Sequence, residues 1–315
     1  MSSGTLKMHT SRQELILGIV RKALMDCFAA EGSALSLCDE PLELFYSPHA
    51  CAIKEEIVKA GRKLWERQYV DGNGGNMSVR LSPRYVICTP TLCSKGDLDI
   101  EELSLIDMEN RQIIGSRPQS SEMLLHLEIY KTVPTANAVI HCHPPYATAH
   151  AIAGVLPPGN LVPEQEVFVG PLVLTPYETP GTIEFARTIL PMVKQHNTIL
   201  LANHGVVCWA DTVTHAEWYV EVVDTYCKTV MIASQLKSPL PEIPPDKIAD
   251  LLAIKQRLGL PDVRLPSPPA SAAETGNTVA EGDCSASSME WKKAEIDRFI
   301  ASLAAQISAF IEKGA

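Results

Sequence analysis

The sequence predicts an α/β fold, because stretches with helical spacing of apolar residues alternate along the chain with short apolar stretches. The segment 50–68, for example, places Ile53 and Ile57 on one helical face, and the turn signal at 71–76 separates it from the first predicted strand. The predicted strands are 77–81, 85–90, 103–107, 112–114, 136–143, 168–174 and 198–204, the last continued by 207–209 after Gly205.

Helices are predicted at both ends of the chain and between the strands. Ser120 and Ser121 suit the start of one of them, because serine side chains cap helices well. The terminal helix carries an apolar stripe, which we expect to dock onto its own or a neighbouring subunit. The predicted helices are 12–30, 50–68, 120–132, a short stretch around 147–153, 181–196, 214–236, 246–258 and 289–313.

Charge and cysteine content exclude several classes of protein. The 315 residues include 27 Lys and Arg against 37 Asp and Glu, a net charge of −10 that disfavours a nucleic-acid partner. No apolar run approaches the roughly 18–20 residues that span a bilayer, and the N-terminus lacks a signal-peptide apolar core. Nine cysteines without a C-x-x-C pair indicate reduced thiols. We therefore expect a soluble cytoplasmic protein without a membrane or nucleic-acid partner.

Histidines close two of the apolar strands. His141 and His143 should point to the same side of their strand, because side chains alternate between faces, and could share a metal ion. His204 ends the next apolar strand and could supply a third nitrogen, an arrangement typical of catalytic zinc with an open fourth position. Alternatively, the pair faces solvent at a polar strand end, and His204 is a core histidine with satisfied hydrogen bonds.

Two further segments carry candidate site residues. Glu122 follows the predicted cap and either stabilises the helix N-terminus or acts as an acid/base near the metal. His126 lies four residues later on the same helical face, and we favour a structural role for it. The segment 72–76 is rich in glycine and could aim backbone N–H groups at a phosphate, although Asn-Gly also marks a plain hairpin.

In this order the motifs resemble the class II aldolase and ribulose-phosphate 4-epimerase family, of the fuculose-phosphate aldolase type. The resemblance covers residues 50–238. It implies a three-layer α/β/α fold with a central, mainly antiparallel sheet flanked by helices, and a homotetramer with active sites between subunits. The matching segments are Gly75–Ser78, Thr89–Thr91, Ser120–Glu122 with His126, His141–Pro144 and Asn203–Gly205.

The resemblance also implies residue roles. The matching histidines, His141, His143 and His204, would hold a divalent metal, usually zinc, with Mn²⁺ or Co²⁺ as other possibilities. Glu122 would be the catalytic acid/base. The residues that would surround the substrate phosphate are Gly75, Asn76, Thr91, Ser120 and Ser121.

Two departures from the family pattern concern this pocket and its surroundings. Leu92 follows Thr91 where the sugar-phosphate aldolases usually have glycine, which makes phosphate binding less certain than metal binding. The family's tyrosine from a neighbouring subunit has no clear match, and the segment in that region is Val162–Glu164.

The expected activity is a metal-dependent, reversible aldol cleavage of a small ketose phosphate or related hydroxy-ketone. The alternatives are 4-epimerisation of a sugar phosphate, and decarboxylation or dehydration by the same metal site. Decarboxylation would use the anion pocket for a carboxylate, which suits Leu92. A non-enzymatic, adducin-like interaction protein is a third reading, but the adducin head lacks the metal-binding histidines. The expected partners are a small anionic carbohydrate and further copies of the chain.

The predicted domain organisation follows from the extent of the resemblance. The catalytic domain occupies 49–238. The segments outside it are an N-terminal helical extension at 1–48, a helical tail at 239–264, a flexible linker at 265–288 rich in Pro, Ala and Ser, and a C-terminal amphipathic helix at 289–315.

Overall fold

The computed structural model describes residues 40–265, so most of the predicted N-terminal extension, the linker and the terminal amphipathic helix lie outside the described residues. Seven helices are named here: α1 (Glu40–Phe45), α2 (Pro48–Glu66), α3 (Met123–Thr132), α4 (Pro145–Ala153), α5 (Ile183–Arg187), α6 (Val213–Leu236) and α7 (Pro245–Arg257). The strands are β1 (Asn76–Arg80), β2 (Tyr85–Cys88), β3 (Ser104–Asp107), β4 (Gln112–Ile114), β5 (Ala138–Cys142), β6 (Thr198–Leu201) and β7 (Gly205–Ala210).

The strands form one sheet in the order β4-β3-β2-β1-β5-β7-β6, and every neighbouring pair is antiparallel. One apolar core fills the face covered by α2, α4 and α6, where Ile140 and Cys142 of β5 point. A second core fills the face covered by α3 and α5, where Val139 points. The predicted three-layer α/β/α architecture with an antiparallel sheet is therefore confirmed.

The prediction of one strand through 198–209 was wrong. β6 and β7 are separate antiparallel strands of a hairpin. The chain reverses at Asn203, whose φ is 55°, and the His204 amide donates to the Leu201 carbonyl across the turn. Asparagine tolerates this left-handed conformation better than most residues. The reversal matters for function because it holds His204 at the end of the sheet.

Two other predicted elements differ for local reasons. The segment predicted as a strand at 168–174 begins in a wide helical turn, Gln165–Val169, which Gly170 ends with a φ of 83°. The helix predicted over 181–196 ends at Arg187 and continues as separate turns. Pro191 lacks an N–H and disfavours a helical conformation for the residue before it, which explains the early end.

The start of α3 also differs from the prediction. The serines are not its cap: Glu122 occupies that position, and the helix proper begins at Met123. The Ser120 amide instead donates to the Thr89 carbonyl, which ties this segment to the end of β2. The serines are therefore held beside the sheet, ahead of the helix.

The described cysteines and helices are consistent with two sequence-based exclusions. The six cysteines within residues 40–265 form no disulfide: they are Cys51, Cys88, Cys93, Cys142, Cys208 and Cys227. In the same part of the chain, no helix combines the length and apolar character needed to cross a bilayer.

A buried ion cluster attaches the segment after α7 to the rest of the described fold. The Asp262 carboxylate forms ion pairs with the Lys255 ammonium at 3.0 Å and with the Arg264 Nε at 2.8 Å. Arg264 also reaches the Glu166 carboxylate at 2.7 Å. The side chains of Lys255 and Asp262 are fully buried, so their charges depend on one another for compensation.

We expect Asp262→Ala to lower the free energy of unfolding by about 3–5 kcal/mol, because it leaves the Lys255 ammonium buried without its partner. Urea unfolding measures the loss. Asp250→Ala on α7 is the matched control, since Asp250 pairs with Lys247 at the surface and its removal should cost less than about 1 kcal/mol. Equal losses in both variants would contradict a stabilising role for the cluster.

The same cluster predicts acid sensitivity. Burial alone would raise the pKa of Asp262, but hydrogen bonds from Arg264 and the charge of Lys255 lower that pKa to about 2. The unfolded carboxyl has a pKa of about 3.9. The contribution of ionised Asp262 to the free energy of unfolding is therefore fully present above about pH 4, and it is lost as the pH falls towards 2.

Candidate metal centre and catalytic cleft

Strand register brings the candidate site residues to one end of the sheet. Asn76 on β1 lies opposite His141 on β5, and His141 lies opposite Val207 on β7. His143 follows the end of β5, and His204 lies in the turn between β6 and β7. Three chain segments that are distant in sequence therefore meet at this edge.

The three histidines converge, as predicted from side-chain alternation for His141 and His143 and from the strand end for His204. One ring nitrogen from each of His141, His143 and His204 lies within 4.8 Å of the others. The Nε2 atoms of His141 and His143 are 3.2 Å apart. His141 is buried, and both other rings are partly buried, so the reading of these histidines as a freely solvated strand end is wrong.

Protonation of the cluster suits a metal ion. Burial lowers the pKa of His141 well below its usual range, and His204 and His143 lower it further. Burial also lowers the pKa of His204, although Glu122 opposes that shift. The Nδ1 of His141 donates to the Val206 carbonyl at 2.9 Å, which leaves its Nε2 lone pair free. Three imidazole nitrogens aimed at one point fit a divalent cation such as zinc.

Two glycines are required by the close approach of backbone segments at the site. A side chain at Gly205 would collide with the Cys142 carbonyl and would lie 2.7 Å from the His143 ring. Gly75 has a φ of 69°, and a side chain there would lie 2.9 Å from the His141 carbonyl. These glycines allow the loops on either side of β5 to pack directly against the histidine-bearing backbone.

Glu122 occupies the N-cap position of α3, but its side chain faces the histidines. Its carboxylate makes no capping hydrogen bond to the backbone. One oxygen lies 3.2 Å from the His141 Nε2, and the other lies 3.5 Å from the His204 Nε2. The Asn76 amide donates to the first oxygen at 2.9 Å and fixes its orientation. A carboxylate so placed can carry a proton to or from a substrate atom beside the metal site.

A cleft of about 150 Å³ opens beside Glu122. Its lining includes every residue predicted for catalysis, metal binding and phosphate binding except His204. His204 lies outside the lining, with its Nε2 3.5 Å from the Glu122 carboxylate. The lining residues are Asn73, Gly74, Gly75, Asn76, Pro90, Thr91, Ser120, Ser121, Glu122, His141 and His143. One part of the lining, formed by Thr91, Ser120, Ser121 and the glycine-rich backbone at 73–75, suits a small anion.

His126 lies away from this cleft and has a structural environment, as favoured from the sequence. Its Nδ1 lies 2.7 Å from the Ser78 hydroxyl, which also contacts the Tyr130 hydroxyl at 2.9 Å. The ring is fully buried, and burial lowers its pKa well below the usual range. His126 is therefore a buried neutral group beside β1.

Two residues beside the site were missed by the sequence analysis. Asp71 lies 3.4 Å from the His143 Nδ1 and can orient that ring; its position beside the glycine-rich segment was the available signal. Lys95 is 2% exposed and bonds to the loop that lines the cleft. No local pattern marks a lysine as buried, because long charged side chains usually reach solvent.

Leu92 occupies a backbone conformation that favours glycine. Its φ is 53°, and its side chain is 72% exposed, so apolar burial offers little compensation. The Arg117 guanidinium donates to its carbonyl at 2.8 Å and holds the loop in this conformation. The departure noted in the sequence therefore coincides with local backbone strain at the rim of the site.

We expect Leu92→Gly to stabilise the protein by up to about 1 kcal/mol, because the left-handed conformation costs a leucine more than glycine loses in chain entropy. Denaturant unfolding tests this. Leu258→Gly is the matched control: Leu258 is also exposed but has a φ of −78°, so that variant should be destabilised. A comparable destabilisation of both variants would contradict the assignment of strain to Leu92.

Comparison with known proteins agrees with this geometry. Residues 55–231 match the family described as "Class II Aldolase and Adducin N-terminal domain". A 3-oxo-tetronate 4-phosphate decarboxylase from Haemophilus influenzae is 39% identical over 160 residues, which cover 50% of this chain and 76% of the relative. An L-fuculose phosphate aldolase from Methanococcus maripaludis is 34% identical over 183 residues, covering 58% of this chain and 98% of the relative.

A solved structure gives the same result. An L-fuculose 1-phosphate aldolase, 26% identical in sequence, superposes with a TM-score of 0.61 over 68% of this chain and 100% of its own. The named relatives are enzymes, one a decarboxylase and the others aldolases. From the family match over more than half its length, together with these likenesses, the chain belongs to the class II aldolase and adducin family.

Proposed function

We propose that this chain is a divalent-metal-dependent lyase that acts on a small phosphorylated keto sugar or sugar acid and breaks the carbon–carbon bond between the α and β carbons of its carbonyl group. The observation that carries the proposal is the position of Glu122, whose two carboxylate oxygens lie 3.2 and 3.5 Å from His141 and His204 in a cleft lined with hydroxyl groups. This arrangement joins a cation site, an acid/base and an anion-binding wall.

His141, His143 and His204 would hold the metal, with zinc as the first choice for three imidazole ligands. Class II aldolases typically depend on a divalent metal, and Mn²⁺ or Co²⁺ could serve the same ligands. When bound, the ion supplies Lewis-acid stabilisation of the negative charge that develops on the substrate carbonyl oxygen.

The residues of the chain itself have two tasks. Glu122 moves the proton at the reacting carbon, and Asn76 keeps one of its oxygens aimed by a hydrogen bond of 2.9 Å. Elsewhere in the lining of the cleft, Gly75 offers its backbone and Thr91, Ser120 and Ser121 offer hydroxyl groups to the substrate phosphate. Fixing both ends of the substrate aligns the bond that breaks with the proton donor.

Decarboxylation of a 3-oxo sugar acid phosphate is the reaction that the cleft supports best. Loss of carbon dioxide moves the bonding electron pair towards the ketone oxygen and gives an enediolate. Glu122 then donates a proton to the carbon that lost the carboxylate and regains one from water. This sequence needs one acid/base group, and among the described residues Glu122 is the only carboxyl that lines the cleft. The 39% identity to a decarboxylase supports the same choice.

Aldol cleavage of a ketose phosphate is the second candidate, favoured by the 34% identical aldolase and the aldolase of similar structure. It requires an additional group to remove the hydroxyl proton before the bond breaks. Epimerisation requires a second acid/base on the far side of the substrate. A purely non-enzymatic role leaves unexplained why the histidines and Glu122 share one cleft.

The test supplies the zinc-loaded protein with 3-oxo-tetronate 4-phosphate and, separately, with fuculose 1-phosphate. We expect carbon dioxide from the first substrate, a much slower release of aldehyde from the second, and neither after chelation. Aldehyde release without carbon dioxide would replace decarboxylation by aldol cleavage. No metal-dependent reaction with either substrate would overturn the proposed function.

We also propose that the chain forms a homotetramer with its active sites between subunits. The end of α4 and the residues after it support an apolar contact surface, because Ile152, Val155 and Leu156 are 60%, 60% and 40% exposed. Light scattering of the full chain should give four times its mass of 34.4 kDa. A monomer at micromolar concentration would overturn this part of the proposal.

A further inference from the structure

A buried lysine joins the two loops that line the anion-binding wall of the cleft. The Lys95 ammonium donates to the Cys93 carbonyl at 2.9 Å and to the Asn73 carbonyl at 3.4 Å. Asn73 lines the cleft in the glycine-rich loop, and Thr91 lines it two residues before Cys93. The side chain of Lys95 thus sets the spacing between these two loops.

The charge of this lysine has no close counter-ion. Within residues 40–265, no carboxylate lies within 4 Å of its ammonium, although Lys95 is only 2% exposed. Burial lowers its pKa, while Cys93 and Glu122 oppose that change. A buried cation is unfavourable unless an anion or a set of dipoles compensates it. Within residues 40–265 the close dipoles are two backbone carbonyls and the Cys93 thiol, whose Sγ lies 3.8 Å from the ammonium.

The charge of a bound substrate would add to the compensation that the more distant Glu122 carboxylate supplies. The wall beside Lys95 consists of glycine-rich backbone and hydroxyl groups, which bind an anion without neutralising it. Electrostatic attraction is strong where water is excluded, so a fixed ammonium behind this wall favours a dianion over a neutral group. Exposed lysines cannot substitute for it, because solvent screens their charge.

We propose that Lys95 is a positioning residue that selects phosphorylated substrates, by holding the Asn73 and Cys93 loops together and by placing a buried positive charge behind the anion wall. This inference rests on the proposed function for the identity of the substrate but concerns binding alone. Lys95 acts on affinity for the anionic group, and Glu122 acts on the proton, so the two residues should affect different measurements.

The experiment compares 2-phosphoglycolate with glycolate as ligands of the zinc-loaded full chain by calorimetry. The two probes share the carboxylate, and they differ in whether the oxygen on the neighbouring carbon carries a phosphate or a hydrogen. We expect Lys95→Met to weaken the binding of 2-phosphoglycolate by about tenfold or more, because a buried positive charge near the phosphate is lost. The affinity for glycolate should stay within about twofold. Lys59→Met is the matched control, because it removes an equal charge from an exposed position and should change neither probe.

Two further variants keep the result decisive. Lys95→Gln retains a hydrogen-bond donor without the charge and should lose affinity for the phosphate. This variant replaces Lys95→Met in the comparison if the methionine variant does not fold. Lys95→Arg retains the charge and should preserve the preference for 2-phosphoglycolate. Equal weakening of both probes, or unchanged affinity for both, would overturn the inference. A lost phosphate preference in Lys95→Gln, in a protein that cleaves neither sugar phosphate, would uphold it and refute only the proposed function.

Discussion

Replacing Glu122 with glutamine should leave the metal bound and reduce turnover by about 10²–10⁴-fold, because the amide cannot exchange a proton with the reacting carbon. The substitution preserves the size of the side chain beside His141 and His204. Incorporation of solvent deuterium at the product carbon measures the proton step directly, and it should fall together with turnover.

Glu128→Gln is the control for this variant. Glu128 lies on the same helix, α3, and pairs with Lys131 at 3.8 Å, so its loss should change turnover less than about twofold. Deuterium incorporation that remains unchanged in Glu122→Gln would remove Glu122 from the proton step. Loss of metal from that variant would instead identify its carboxylate as a ligand.

His143→Ala should lower the bound metal from about one ion per chain to a small fraction and lower turnover by about 10²–10³-fold. The estimate reflects the several kcal/mol that a metal contributes to stabilising charge in the transition state. His143 is partly exposed at the end of β5, so the fold should tolerate the change better than it would at buried His141. Elemental analysis of protein purified without chelator measures the metal.

His215→Ala provides the comparison. His215 lies on α6 and pairs with Asp211 at 2.6 Å, and it has no contact with the histidine cluster. Metal content and turnover should match the wild type. Full metal occupancy and unchanged turnover in His143→Ala would contradict the metal centre, whereas loss of metal in both variants would point to general damage.

The sequence predicted the strands β1 to β5 well because they are short apolar stretches between clear turn signals. β3 and β4, for example, are separated by Asn110 and Arg111, and the structure places a turn there with Asn110 at a φ of 66°. The convergence of His141 and His143 followed from side-chain alternation along β5. That argument needs only local geometry, and it held.

Contacts between distant segments were beyond such reasoning. The hairpin that presents His204 depends on Asn203 taking a left-handed conformation, and the sequence alone was equally consistent with a continuous strand. Lys95 is buried with its ammonium against the Asn73 and Cys93 carbonyls, and its own sequence neighbours give no sign of that. The sequence left Glu122 open between helix capping and catalysis; its distances to the histidines favour the second role, which stays a prediction.

The ion cluster around Asp262 shows that the packed fold extends past the boundaries that homology suggests. Family similarity stops at residue 231, and the sequence divided the chain at 238, yet Arg264 completes the charge balance of buried Glu166. A recombinant fragment that ends at residue 231 or 238 would lack Arg264 and would leave the buried Glu166 carboxylate without this partner. We accordingly expect an expression boundary chosen by homology alone to give a less stable product than one placed after Arg264, and urea unfolding of the two fragments measures the difference.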